Sequence, residues 1–208
     1  MQHIFPPDFV FWTSIENHKE VKDYLLPLIK QKEEESIKTP TRWYCDVNSS
    51  FEKNSIGENN FNQFLLDPKI IKDIVWNPLD KMLSEVKNLP IPKESSISEC
   101  WYNSYTIGQY QEIHNHLADS FIVNEKSFKD TFSLIYIIDS QDEKNRTMFY
   151  SLGPHSCTNE LNNLTFDTSN EESICEGTVL IFPCHLLHYV QPTKNSRTTI
   201  SYNIASSF

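Results

Sequence analysis

A chain of 208 residues with 38% hydrophobic and 12% aromatic side chains is long enough to bury one sizeable core. Its net charge of -10 argues against non-specific nucleic-acid binding, which needs basic patches, and no apolar run reaches the ~18 residues of a membrane span. Five cysteines without a Cys-x-x-Cys pair, behind a start that lacks a basic and apolar export signal, are expected to be reduced thiols of a cytoplasmic protein.

Residues 4–14 read as a short strand behind Pro6 and Pro7. Asn17 and Glu20 have the spacing of a capping box, ahead of Val21, Tyr24, Leu25, Leu28 and Ile29 at helical period to about Lys32. The Lys-Glu-Glu-Glu run at 32–35 is a solvated helix end. Residues 36–58 look irregular, with Trp43 and Tyr44 as anchors of a strand. Helices are expected near 59–66 and 68–88, the second started by Asp67-Pro68 and kinked or divided at Pro78. Leu89-Pro90-Ile91-Pro92 then closes an N-terminal strand and helical layer, residues 1–92.

From residue 96 the pattern changes to short β-type runs at 97–106, 131–139, 146–152, 178–183 and 196–205. Helices first and antiparallel strands second give a mainly β fold with N-terminal helices. A double-stranded β-helix, or jelly roll, over residues 93–208 is the natural core of one domain spanning 1–208. The long polar segment 153–175 reads as a surface loop or lid.

His114 and His116 are spaced to share one face of an extended strand, because side chains alternate with period two. Their nitrogens suit iron, copper, nickel or zinc. His188, after a later strand, offers a third imidazole; His185, nearer the turn at Pro183, competes for that place. Arg197 follows His188 by nine residues and is one of only three arginines, with Arg42 and Arg146. Its guanidinium fork fits a carboxylate bidentately, as lysine cannot. A metal and a carboxylate clamp on neighbouring strands describe a site for a small keto acid. Singly, each residue has a plainer reading, as a packed histidine or a structural arginine; order, spacing and β context together make the site. His3, His18 and His155 read as surface residues, and Trp101, Phe132, Phe182 and Cys184 as packing.

Trp101-Tyr-Asn-Ser-Tyr-Thr-Ile-Gly, His114-Asn-His116, Thr131-Phe-Ser-Leu-Ile-Tyr-Ile-Ile, Glu176-Gly-Thr-Val-Leu-Ile-Phe-Pro, His188 and Arg197-Thr-Thr-Ile-Ser-Tyr-Asn-Ile resemble, in this order, the 2-oxoglutarate/Fe(II)-dependent oxygenases. The likeness is greatest to small oxygenases of phage and bacterial genomes and strongest from Trp101 to Ile204. It implies Fe(II) held by His114, His116 and His188, and 2-oxoglutarate held by Arg197 at its 5-carboxylate, with Asn103 and Tyr105 as hydrogen-bonding partners. It implies O₂ as co-reactant, ascorbate as an accessory reductant, and hydroxylation of a small molecule or protein side chain with succinate as co-product. A homodimer is compatible with this reading, as is a host's cytoplasm if the source is viral.

One departure matters. Most of that superfamily carries His-x-Asp, giving two histidines and one carboxylate, whereas this chain has His116 at the second position. Asp119 is the other candidate there but is off the two-residue register. Three neutral imidazoles leave the iron at +2, which a bound dianion would neutralise. Two other readings stand beside the oxygenase. One is a three-histidine cupin-type dioxygenase that needs no 2-oxoglutarate; the other is a non-catalytic jelly-roll binding or virion-associated module.

Overall fold

The computed structural model describes residues 8–35, 46–51, 61–118, 120–141, 147–151 and 165–208. Strand β1 (Phe11–Ser14) leads into helix α1 (His18–Glu35), which buries Val21, Leu25 and Ile29, one residue every four. The expected capping box is replaced by a longer tie. The Asn17 carbonyl receives Val21 N–H at 3.2 Å, while its side-chain amide donates to Asp73 Oδ2 at 2.6 Å. His18, expected at the surface, is partly buried, meeting the Tyr136 hydroxyl at 2.7 Å and Glu176 Oε1 at 3.1 Å.

Strand β2 (Asn48–Ser49) lies in the segment expected to be irregular; Trp43 and Tyr44 fall outside the described residues. The helix expected near 59–66 is, among the described residues, only a 3₁₀ turn at Gln63–Leu66. Asn62 explains the shortening, because its side-chain amide donates to the Cys100 and Ser50 carbonyls at 3.0 and 3.3 Å. Asp67-Pro68 does start a helix, with Asp67 Oδ1 accepting from Lys69 N–H at 2.9 Å. Helices α2 (Pro68–Ile71) and α3 (Asn77–Glu85) are joined by a π turn at Lys72–Trp76. Pro78 has no N–H for a regular ladder, and Asn77 N–H instead reaches back five residues to the Lys72 carbonyl. Proline thus reshapes the helix without ending it.

The remaining strands are β3 (Glu94–Tyr105), β4 (Gln111–His114), β5 (Phe121–Val123), β6 (Lys126–Ser140), β7 (Thr147–Tyr150), β8 (Thr165–Asp167), β9 (Thr178–Pro183), β10 (Leu187–Val190) and β11 (Arg197–Ser207). Among the described residues they form two antiparallel sheets. The major sheet runs β1-β9-β6-β11-β3-β2, with β5 added to β6, and the minor sheet runs β4-β10-β7-β8. This is a mainly β fold with a jelly-roll core. Strands β4, β5, β8 and β10 fall outside the expected runs, and β8 lies within the segment expected to be a loop. Three or four residues give too little alternation to read.

Strand β11 shows how the sheet sorts its two faces. Arg197, Thr199, Ser201 and Asn203 alternate with Thr198, Ile200, Tyr202 and Ile204. The apolar set packs with Leu134, Tyr136, Val179, Ile181 and the helices in one core. The polar set faces the space between the sheets, where a second core of Ile135, Ile137, Leu180, Phe182, Phe149 and Leu186 closes one end. A polar cavity is left at the other end.

Candidate metal centre

Strands β4 and β10 place His114 directly opposite His188 in the minor sheet, with ring centroids 4.3 Å apart. β4 ends at His114, so His116 is not on the strand as expected. Its backbone N–H donates to the Cys184 carbonyl at 2.8 Å, which pins the chain as it leaves the sheet. The His116 ring still lies 5.2 Å from His114 and 4.8 Å from His188. One nitrogen from each of the three rings lies within 4.8 Å of the others, an arrangement able to hold a metal ion.

The outer nitrogens are all engaged. His114 Nδ1 lies 2.7 Å from the Glu112 carbonyl, and His188 Nδ1 lies 3.1 Å from the Leu186 carbonyl. A carbonyl only accepts, so each Nδ1 carries the proton and each Nε2 keeps its lone pair. His116 Nδ1 meets Ser133 Oγ at 2.8 Å and Asn203 Oδ1 at 2.9 Å. Its Nε2 is buried and has no hydrogen-bond partner among the described residues, the kind of orphaned atom that a metal ion satisfies. Burial lowers all three imidazoles; it takes His116 to about 3, helped by His114, and His188 well below its ordinary value. They are therefore neutral imidazoles at physiological pH. The donor set fits a borderline divalent metal such as Fe(II).

Across the cavity, Arg197 opens β11 opposite Tyr105 and is 3% exposed. Its Nη2 donates to Thr147 Oγ1 at 2.9 Å, and its guanidinium lies 5.7 Å from the centre of the Tyr105 ring. The Tyr105 hydroxyl donates to Gln111 Oε1 at 2.9 Å. Asn103 is 3% exposed, and its Oδ1 has no hydrogen-bond partner among the described residues. Histidines, arginine, Asn103 and Tyr105 thus line one cavity, whose free space is about 10 Å³, close to that of one water. A wider cleft of about 360 Å³ beside Trp12, Phe149 and Phe166 contains none of the three histidines.

His185 does not join the group: it is half-exposed and paired with Asp8 Oδ1 at 2.7 Å. Asp119, His3 and His155 lie outside the described residues. Gln111, Trp101, Ser133 and Asn203 were missed as site residues. Trp101 packs edge-on against His116 at 5.2 Å and lines the cavity, with its Nε1 unpartnered. Asn203 was legible in principle, since it continues the period-two series from Arg197.

No protein-family model matches the sequence, and no curated protein sequence matches it. Solved structures do match. A prolyl-4-hydroxylase from Pseudomonas putida is 10% identical over 96% of this chain and 94% of its own, with a TM-score of 0.54. The viral collagen prolyl hydroxylase of Paramecium Bursaria Chlorella virus-1, in complex with 2-oxoglutarate, is 11% identical over 95% and 96%, with a TM-score of 0.54. HygX from Streptomyces hygroscopicus, with nickel and 2-oxoglutarate bound, is 10% identical over 96% and 83%, with a TM-score of 0.55. The chain has the fold of these three solved structures along almost its whole length.

Proposed function

We propose that this protein is a 2-oxoglutarate- and Fe(II)-dependent dioxygenase that hydroxylates a small molecule or a protein side chain. The observation that carries this reading is one cavity with three neutral imidazoles at one end and a buried arginine at the other. His114, His116 and His188 hold the iron through Nε2. Arg197 pairs with the 5-carboxylate of 2-oxoglutarate, and Asn103 and Tyr105 orient the cosubstrate. When bound, iron and 2-oxoglutarate supply an oxygen-activating centre that oxidises a substrate C–H bond and yields succinate and carbon dioxide. The apolar end formed by Phe149, Phe182 and Leu186 keeps water from the metal's flank. Ascorbate as reductant, a homodimer and a cytoplasmic setting belong to the same reading. Among the described residues no helix is long and apolar enough to cross a membrane.

Anaerobic addition of Fe(II) and then 2-oxoglutarate tests it. A visible metal-to-ligand charge-transfer band is expected, followed by succinate on admission of air. Arg197→Ala should keep iron but weaken 2-oxoglutarate binding by about 2 kcal/mol or more, since a charge-assisted bidentate pair is lost. Unchanged cosubstrate affinity in this variant would overturn the clamp. A three-histidine dioxygenase that binds its substrate directly is the second reading, favoured by the absence of a carboxylate from the histidine cluster among the described residues. It predicts turnover without succinate.

A further inference from the structure

Two of the three clustered histidines are oriented by nearby backbone of their own chain segment. His114 and His188 each turn Nδ1 onto the carbonyl two residues upstream, Glu112 and Leu186. His116 has left its strand, and the structure gives it side chains instead. The three central strands of the major sheet present Glu99, Asn203 and Ser133 in one row, with Asn203 directly opposite both of the others. Register shifts follow immediately, between Asn203 and Ile204 against β3 and between Ile204 and Ala205 against β6. Bulges of this kind re-aim side chains beside functional sites.

The hydrogen bonds in this row run in one direction. Asn203 Nδ2 donates to Glu99 Oε2 at 3.3 Å, which turns Asn203 Oδ1 towards His116. The Ser133 hydroxyl donates to Asn203 Oδ1 at 3.0 Å, so its single hydrogen is committed. Both oxygens facing His116 Nδ1, at 2.8 and 2.9 Å, are therefore acceptors. Nδ1 must carry the proton, and Nε2, buried and unpartnered, must carry the lone pair. A histidine in water prefers the opposite tautomer. Ser133 and Asn203 are 0% and 4% exposed, so water cannot replace either contact.

We propose that Asn203, seated between Glu99 and Ser133, is the positioning residue that makes His116 a metal ligand, and that this second ligand position is built for an imidazole and against a carboxylate. The inference rests on the metal-centre reading above. It implies that His116→Asp, which gives the ligand set commoner in the superfamily this chain resembles, weakens the site. An aspartate has no proton to give at neutral pH. If its carboxylate approached Asn203 Oδ1 it would meet another acceptor; held back at the metal, it would strip Ser133 and Asn203 of their donor. Either way a buried polar contact is lost.

The test uses Co(II), whose visible d–d bands report ligand number and geometry without turnover, titrated anaerobically into the metal-free protein. Asn203→Ala should weaken Co(II) binding about 10- to 100-fold and alter the bands, as loss of an orienting partner does elsewhere. His116→Asp should fall at least as far. Asn203→Asp combined with Glu99→Gln, which keeps an acceptor for Nδ1–H without a like-charge clash, should restore binding. Asn203→Ala with the affinity and bands of the unaltered protein would overturn the inference, as would a His116→Asp protein that binds more tightly. An ¹⁵N imidazole spectrum of the unaltered, metal-free protein decides the point even if variants fail to fold: His116 protonated at Nδ1 supports the role, and protonation at Nε2 refutes it. Absence of any Co(II) binding by the unaltered protein would instead remove the metal centre itself.

Discussion

At the level of single residues, charge is what distinguishes this centre. Three neutral imidazoles around Fe(II) would leave a +2 ion in a largely dry cavity, with His188 2% and His116 9% exposed. In so poorly solvated a place an uncompensated charge is costly, and the 2-oxoglutarate dianion would bring the site to neutrality. Iron retention should therefore depend strongly on cosubstrate, and by linkage the cosubstrate on iron. Loss of Fe(II) to a chelator is expected to slow by at least about tenfold when 2-oxoglutarate is present. Equal rates with and without it would contradict the three-imidazole assignment. Trp101 offers a second check at this scale. Its indole N–H is buried and unpartnered, so Trp101→Phe keeps most of the packing and removes an unmet donor. Denaturant unfolding of the metal-free protein should show a change of less than about 1.5 kcal/mol.

Among the elements, α1 is fixed to the major sheet by ions as well as by its apolar stripe. Lys22 Nζ lies 2.6 Å from both Asp139 Oδ1 and Glu176 Oε1, and Glu176 Oε2 accepts the Ser140 N–H at 2.9 Å. Gly177, at φ 88°, lets the chain pass so close that a Cβ there would sit 3.0 Å from the His18 ring. Burial raises the Glu176 carboxyl, but the hydrogen bonds from Lys22, His18 and Ser140 outweigh it, and the net shift is downward. A carboxyl depressed on folding contributes stability above its unfolded value near 4.5 that disappears as pH falls through the folded one. Melting curves from pH 7 to 3 should show this acid loss, and Glu176→Gln should flatten it while lowering stability at pH 7; an unchanged acid limb would place the pH dependence elsewhere. The long strands β3, β6, β9 and β11 of the major sheet were legible because six to fifteen residues leave a pattern. In the minor sheet β7 falls in the expected run 146–152, but β4, β8 and β10 fall in none, although β4 and β10 hold His114 and His188: Gln-Glu-Ile-His and Leu-His-Tyr-Val are too short, and too polar where they face the cavity. His114, His188 and Arg197 were still identifiable, since chemistry and spacing survive where propensity does not. Asn203 and Ser133 carry no such mark, because an amide or hydroxyl in a strand becomes a positioning group only when its neighbours across the sheet are known.

For the whole molecule, the centre straddles the two sheets. His114 and His188 belong to the minor sheet, Arg197, Asn103 and Asn203 to the major one, and His116 reaches from the end of the first to the second. Metal and cosubstrate bound there would tie the layers together and stabilise the folded state by mass action. At one hundred times the dissociation constant the gain is about 2.7 kcal/mol. In a chain of 208 residues that corresponds to a rise in melting temperature of roughly 6–10 °C. Differential scanning fluorimetry with Ni(II) and 2-oxoglutarate under nitrogen checks this, and hydrogen exchange should slow in β4 and β10 as well as at Arg197. Protection confined to one sheet would be inconsistent with a shared site. Dependence on a single strand has a cost of another kind. β11 presents the proposed arginine clamp at its first residue and the proposed His116 anchor six residues on, both on one side of the strand. Point substitutions there damage one function at a time, but an insertion or deletion of one residue between Arg197 and Asn203 would turn one end of that series into the helix-facing core. Of the eleven strands described, β11 should therefore be the least tolerant of a change in length, whatever residue is inserted.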